Sequence, residues 1–166
     1  MPQRRAGLWQ QTISREGGQG PMAAMNAMGG MKICVDPSTE AKSAVLSHNM
    51  NPGRLASSQC AAPTVGRGLD GSWSFASTCA MGDAGTIASK GTASGDFASA
   101  YHVHFETDIS GARYAAMNGH HVTDIDGKWL GPCPAGMAPG DVQLANGMTV
   151  NAGKFAGAAK AMGGGQ

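Results

Sequence analysis

Large apolar side chains are scarce in this sequence: Leu, Ile, Val and Phe together number 22 of 166 residues, and aromatics make up 5%. Much of the 42% hydrophobic content is Ala, at 27 residues. Burial returns roughly 25 cal/mol per Å² against more than ~1 kcal/mol per residue of ordering entropy, so a core built from so few large groups is thin. Charge is scarce too. With 14% charged residues and a net charge of +1, the chain has neither the basic excess that nucleic acid attracts nor the charge that keeps a chain disordered, and no nucleic-acid partner is expected. No run of 18 apolar residues occurs, so no membrane span is expected. Met1-Pro2-Gln3-Arg4-Arg5 leads straight into Gly7-Leu8-Trp9 with no apolar signal core, so residues 1–6 read as a leader from which any export signal has been removed. Catalytic signatures are missing as well: there is no G-x-S-x-G elbow, no H-E-x-x-H helix and no GxGxxG after a strand. A non-enzymatic protein is the expectation.

What the sequence does have is 26 Gly, 11 Met and four cysteines, Cys34, Cys60, Cys79 and Cys133, with no CxxC pair to suggest a zinc knuckle or redox motif. Three disulfide connectivities are open to four cysteines, and the pattern around the middle pair selects one. Gly68-Leu69-Asp70-Gly71 reads as a turn, and Trp73, Phe75 and Cys79 share one face of the strand that follows it. If the turn centres between Leu69 and Asp70, Cys60 faces Cys79, which leaves Cys34 for Cys133. The long bridge closes a loop of about 100 residues, worth ~4.7 kcal/mol in the chain-entropy model. The alternative is four reduced thiols in a cytosolic chain. An even count in a weak-core sequence favours an oxidising compartment, so the protein is expected to be periplasmic or secreted.

Along the chain, Trp9 and Ile13 alternate with Gln10, Thr12 and Ser14 in a half-buried first strand, and 31–35 is a second. Asp36-Pro37 caps and opens one short helix running to about residue 46. After the cysteine hairpin come a strand at 85–92, a Ser94-Gly95-Asp96 turn, a long strand at 97–109, a turn at 110–113, and a returning strand at 114–126 broken by Gly127. The expected fold is all-β, an antiparallel meander of about seven or eight strands curled toward a barrel, with one short helix and two disulfides. Residues 7–133 form the stapled domain. Residues 134–166 are an extension, with a small hairpin at 141–151 on a type I′ Asn146-Gly147 turn and a loose tail.

Several of these segments resemble one family in their order and spacing. They are Gly7-Leu8-Trp9, a Gly-Met-Pro segment, Met31-Lys32-Ile33-Cys34 followed by Asp36-Pro37, the Cys60 and Cys79 pair, Ser94-Gly95-Asp96-Phe97, and Trp129-Leu130-Gly131-Pro132-Cys133. Over residues 7–133 they are similar to the bacterial envelope proteins of domain of unknown function 3617. The resemblance implies a β-rich fold and a periplasmic or lipid-anchored location. It supplies no activity, cofactor or catalytic residue.

Two constellations could hold copper or zinc. Met22, Met25, Met28 and Met31 recur every three residues and offer the thioether sulfurs that Cu(I) prefers. His102 and His104 share a strand face, with Glu106 one step further along, and His120 and His121 lie on the returning strand. If the intervening turn centres near Ala112, three imidazoles meet on one face as a Zn²⁺ or Cu²⁺ site. Packed methionines and a solvated histidine stripe are the plainer readings of both sets. Asp124 and Asp126 share a face and could flank a substrate, though paired carboxylates on an exposed strand are usually only solvated. Three functions therefore stand: a ligand- or metal-binding envelope protein, a structural module that assembles with itself or an envelope partner, and a lipocalin-like carrier whose pocket is lined by Trp9, Trp73, Phe75, Phe97 and Phe105.

Overall fold

The computed structural model describes residues 3–16, 30–43 and 59–151. Ten strands from these residues join in one antiparallel sheet. In chain order they are β1 (Gly7–Glu16), β2 (Met31–Val35), β3 (Gln59–Cys60), β4 (Thr64–Arg67), β5 (Trp73–Ala80), β6 (Thr86–Gly95), β7 (Ala100–Ser110), β8 (Gly119–Gly131), β9 (Asp141–Gln143) and β10 (Thr149–Asn151). Among the described residues one α-helix, α1 (Pro37–Ser43), follows β2. Strands β5 to β8 form the expected meander, and β1 closes against β8, giving the order β10-β9-β2-β1-β8-β7-β6-β5-β3 with β4 also on β5. The two ends of this path do not pair, so the sheet stays open.

Both expected bridges form, Cys34–Cys133 and Cys60–Cys79. Cys60 pairs directly with Cys79 in the ladder, whereas nearer the turn Thr64 pairs with Ala76 and Arg67 with Trp73, a register one residue different. The slip falls at residues 61–63, where Pro63 has no N–H to give to a ladder. The start of the helix follows the sequence: Asp36 Oδ1 accepts from the Thr39 N–H at 2.7 Å, and Thr39 Oγ1 accepts from the Asp36 N–H at 2.9 Å. The expected continuation to residue 46 lies outside the described residues. The C-terminal hairpin also forms, but around three residues rather than two. Leu144 N–H donates to Met148 O, and Gly147 takes a φ of 83°, the form of a turn followed by a left-handed residue. Its first strand adds to β2, with Ile33 opposite Val142.

One face of the sheet carries the core. Trp9, Phe75, Ala93, Tyr101 and Val103 are buried there with Val35 and Phe97, and Ile33, Trp73, Phe105, Ile125 and Trp129 pack against them. Gly127 does not break β8; it lies inside the strand, opposite Tyr101. A Cβ on Gly127 would stand 2.1 Å from the Tyr101 ring, so the bare backbone makes room for an aromatic side chain that the thin core needs. The chain before β1 is also drawn in: Arg5 N–H donates to Phe97 O at 2.8 Å, and the Arg5 guanidinium lies 4.0 Å over Trp129.

A charged cluster crosses this apolar face. Arg4 and Glu40 form a buried, forked ion pair, with Arg4 Nη2 2.7 Å and Arg4 Nε 3.1 Å from Glu40 Oε2. Arg4 Nη1 donates to Tyr101 Oη at 3.4 Å, and Gln11 Nε2 donates to the same oxygen. Burial acts to lower the Arg4 pKa, but the Glu40 hydrogen bond and the neighbouring charges outweigh it and hold the guanidinium above its ordinary value. Burial raises the Tyr101 pKa, so its phenol stays neutral. Removing one member of a buried pair strands the other charge. Glu40→Gln is expected to cost about 3–5 kcal/mol in denaturant unfolding, and Arg4→Met with Glu40→Leu to recover most of it. A single-variant loss near the ~0.5 kcal/mol of an exposed pair would contradict this.

Candidate functional site

The polar face of the sheet is fixed by the register of β7 on β8. A link of residues 111–118, including a turn of 3-10 helix at Ala115–Met117, joins the two strands. Asn118 closes it, accepting from the Ala112 N–H at 2.8 Å and donating to Ala112 O at 3.1 Å. The link is longer than the expected turn at 110–113, so β8 begins at Gly119 and the pairing shifts. His102 stands opposite Asp126, His104 opposite Asp124, Thr107 opposite His121 and Asp108 opposite His120.

This register corrects the expected histidine cluster. His102, His104 and His120 do share the polar face, but His120 pairs with Asp108, four residues along β7 from His104 and therefore ~13 Å away. His121 falls on the opposite face. Met31 sits at the start of β2 opposite Gln11, and Met22, Met25 and Met28 lie outside the described residues.

Each imidazole on the polar face instead meets a carboxylate. His102 Nδ1 is 2.9 Å from Asp126 Oδ1, His104 Nδ1 is 2.7 Å from Asp124 Oδ1, and His120 Nδ1 is 2.8 Å from Asp108 Oδ1. The first two pairs adjoin. His102 Nε2 lies 3.6 Å from Asp124 Oδ1, and His104 Nε2 lies 4.0 Å from Glu106 Oε1, which in turn binds Lys90 Nζ through its other oxygen at 3.0 Å. A continuous row thus runs Asp126, His102, Asp124, His104, Glu106, Lys90. Among the described residues no three His, Cys, Asp or Glu side chains stand as a ready-made metal cage.

Beside this row is a groove of about 470 Å³ lined by Gln10, Thr12, Ser94, His102, Asp126 and Lys128 among others. These residues occupy neighbouring rows across β1, β8, β7 and β6, because Gln10 pairs with Lys128, Thr12 with Asp126 and Ser94 with His102. Ser94, His102 and Asp126 have the composition of a hydrolytic triad. Its geometry differs, since His102 Nε2 turns toward Asp124 and not toward Ser94. None of Trp9, Trp73, Phe75, Phe97 and Phe105 lines the groove; Trp9, Phe75 and Phe97 are buried in the core and the other two pack against it.

The model of the family described as Protein of unknown function (DUF3617) matches residues 4–133. The chain belongs to that family. No curated relative and no solved structure matches it. The DUF3617 match spans Arg4, Glu40, both bridges and the whole histidine–carboxylate row, so the features described above belong to the family domain of this chain.

In this DUF3617 domain the start of β7 is set by Asp96, which the sequence pattern marks only as part of a turn. Its Oδ1 accepts from the N–H groups of Ser99, Ala98 and Ala100 at 2.7, 2.8 and 3.2 Å, and its Oδ2 accepts from Ser99 Oγ at 2.7 Å. Phe97 is thereby held at a φ of 56° and tipped into the core against Tyr101, so β7 starts at Ala100 and not at residue 97. Those bonds, the Ser99 N–H foremost, hold the Asp96 carboxyl far below the ordinary carboxylate range. A carboxylate depressed on folding stabilises the fold fully above its unfolded pKa of about 3.9 and loses that contribution as pH falls toward the folded value. Asp96→Ala is therefore expected to melt below the wild type at neutral pH, with the gap narrowing once the pH drops under about 4. A gap that does not change with pH would contradict this assignment.

The complementary pattern was visible in the sequence as His-x-His on one strand and Asp-x-Asp on the next. What it lacked was the register that sets them opposite each other. Lys128 and Gln10 carried no such signal, because single polar residues at period two mark any solvated strand.

Proposed function

We propose that this protein is a non-enzymatic binding protein of the periplasm or the cell exterior, taking a small polar or ionic ligand on the solvent-facing side of its sheet. The groove beside His102 carries this reading. It brings imidazole, carboxylate, ammonium, amide and hydroxyl groups into one concavity, the mixture by which a site fixes the orientation of a polar guest. The triad-like row supports binding over hydrolysis, since His102 Nε2, the nitrogen that would have to activate Ser94, lies against Asp124 Oδ1. The compartment rests on both disulfides, which leave no free cysteine among the described residues. No described helix is long and apolar enough to cross a membrane.

Self-association is the second reading. It draws on Leu69, fully exposed at the tip between β4 and β5, and on Val65, exposed on β4 of the same hairpin. Sedimentation of the purified chain separates the two, because a binding protein of this kind is expected to run as a monomer.

The direct test of the first reading uses protein purified from its native host and denatured for mass spectrometry. A polar small molecule or ion is expected to leave with the wild type and to be missing from a Lys128→Ala, Thr12→Ala variant. An extract equally empty, or equally loaded, for both proteins would contradict it.

A further inference from the structure

We propose that the groove beside His102 takes a hydroxylated organic anion, its carboxylate or phosphate group held between Lys32 and Lys128 over Gln10 and its body lying along Thr12 and Ser94. The proposal rests on the reading of the polar face given above and names the class of ligand.

Along β6, β7 and β8 cross-strand pairing sets opposite charges together. His102, His104 and His120 each face an aspartate, and Lys90 stands opposite Glu106 and binds it at 3.0 Å. Lys32 and Lys128 break this pattern. Lys32 lies between Gln10 on β1 and Gln143 on β9, and Lys128 lies between the same Gln10 and Ala100 on β7. Neutral residues therefore flank both lysines on both sides, and among the described residues neither ammonium has an ion-pair partner. Asp126, two residues from Lys128 on β8, has its Oδ1 engaged by His102 Nδ1 at 2.9 Å.

Lys32, Gln10 and Lys128 stand side by side on β2, β1 and β8. Two strand spacings put the lysine Cα atoms ~10 Å apart, and their flexible four-carbon stems let both ammonium groups meet above the Gln10 amide. Two ammonium groups and an amide N–H are a donor set for an oxyanion, with the ammonium groups giving charge-assisted bonds. A cation at the same place would be repelled from both sides. The groove opens from this row. Gln10 and Lys128 line it, and Ala100 opposite Lys128 is small enough to leave the hollow beyond. Thr12 and Ser94 bring hydroxyls to its lining from β1 and β6. His102 is a wall here and not a donor, because Asp126 and Asp124 face its two nitrogens. A guest anchored at the lysines thus meets hydroxyl groups along its body, and a groove of about 470 Å³ is of small-molecule size.

The test is NMR titration of tag-free, full-length, isotope-labelled protein with glycerol phosphate, glycerate and glycerol, which share a hydroxylated carbon chain and differ in the charged group. At least one anion should bind with millimolar affinity or better, shift the Gln10 side-chain amide, and weaken as salt is raised. Glycerol should not bind. The tighter of the two anions identifies phosphate or carboxylate as the group recognised. Lys32→Met and Lys128→Met should each weaken binding about tenfold or more, whereas Lys90→Met, whose ammonium is held by Glu106, should bind as wild type. Gln10→Glu places the protein's own carboxylate between the two lysines. It should abolish anion binding while the protein melts at or above the wild-type temperature, which separates a filled site from a misfolded one. No anion binding to wild type, equal binding of glycerol, equal loss in Lys90→Met, or binding that survives Gln10→Glu would each overturn the proposal. If neither anion binds while a small molecule still leaves with the wild type in mass spectrometry, the anion site falls and the wider reading of the polar face stands. Failure of both overturns both.

Discussion

The bridge between Cys34 and Cys133 holds together a protein that has little apolar material to do so. An open sheet must cover one face, and here the cover is assembled from short pieces: the arm at Arg4 and Arg5, helix α1, and the turn that carries Phe97. Cys34 is fully buried near the end of β2, three residues before α1 begins, and Cys133 stands two residues beyond the end of β8. Their bond fixes the start of the cover to the strand at the centre of the sheet. Gly140 N–H also donates to Cys34 O at 2.8 Å, so the chain leading to the C-terminal hairpin is gathered at the same point. With a sequence separation of 99, the bridge removes more freedom from the unfolded chain than a local bridge such as Cys60–Cys79 could.

The Arg4–Glu40 pair works on the same problem by another route. Leu or Ile at these positions would cover the face as well, and a buried ion pair is not in itself evidence of stability. It does select one arrangement. The forked contact with Glu40 and the bonds to Tyr101 are all satisfied only when the arm, α1, β1 and β7 are in register. That register reaches the other side of the sheet, because Tyr101 and Val103 alternate with His102 and His104. Burial of the first two decides where the second two point, and through Asp124 and Asp126 it decides how their rings are turned. The polar site is thus a consequence of the thin core, expressed one residue out of phase.

Features with local causes were legible in the sequence. Strand β2, the capped start of α1, the Cys60–Cys79 pairing and by elimination Cys34–Cys133 all follow from spacing, turn residues or side-chain alternation within a few positions. Features that depend on the length of an irregular link were not. The link at 111–118 starts with the Gly111-Ala112-Arg113 of the expected tight turn but runs on through Asn118, where a strand was expected, and nothing local distinguishes the two. A period of two assigns faces but not partners, so the expected registers set His120 or His121 beside His102 and His104 and concealed the alignment of those two with the aspartates. Gly127 was misread for a related reason, since a glycine in a strand pattern looks like a break until the Tyr101 ring lying over it is known. Arg4–Glu40 joins residues 36 positions apart through tertiary contact alone, and no spacing rule encodes it.

The dependence on covalent bridging is tested most directly by denaturant unfolding of the oxidised protein beside the same protein reduced and alkylated, with the two cysteine pairs also replaced separately by serine. Loss of Cys34–Cys133 is expected to lower stability by about 2–5 kcal/mol, more than loss of Cys60–Cys79, and full reduction to lower it further. A reduced protein that unfolds at the same denaturant concentration as the oxidised one would contradict the account, because the sparse core would then suffice alone.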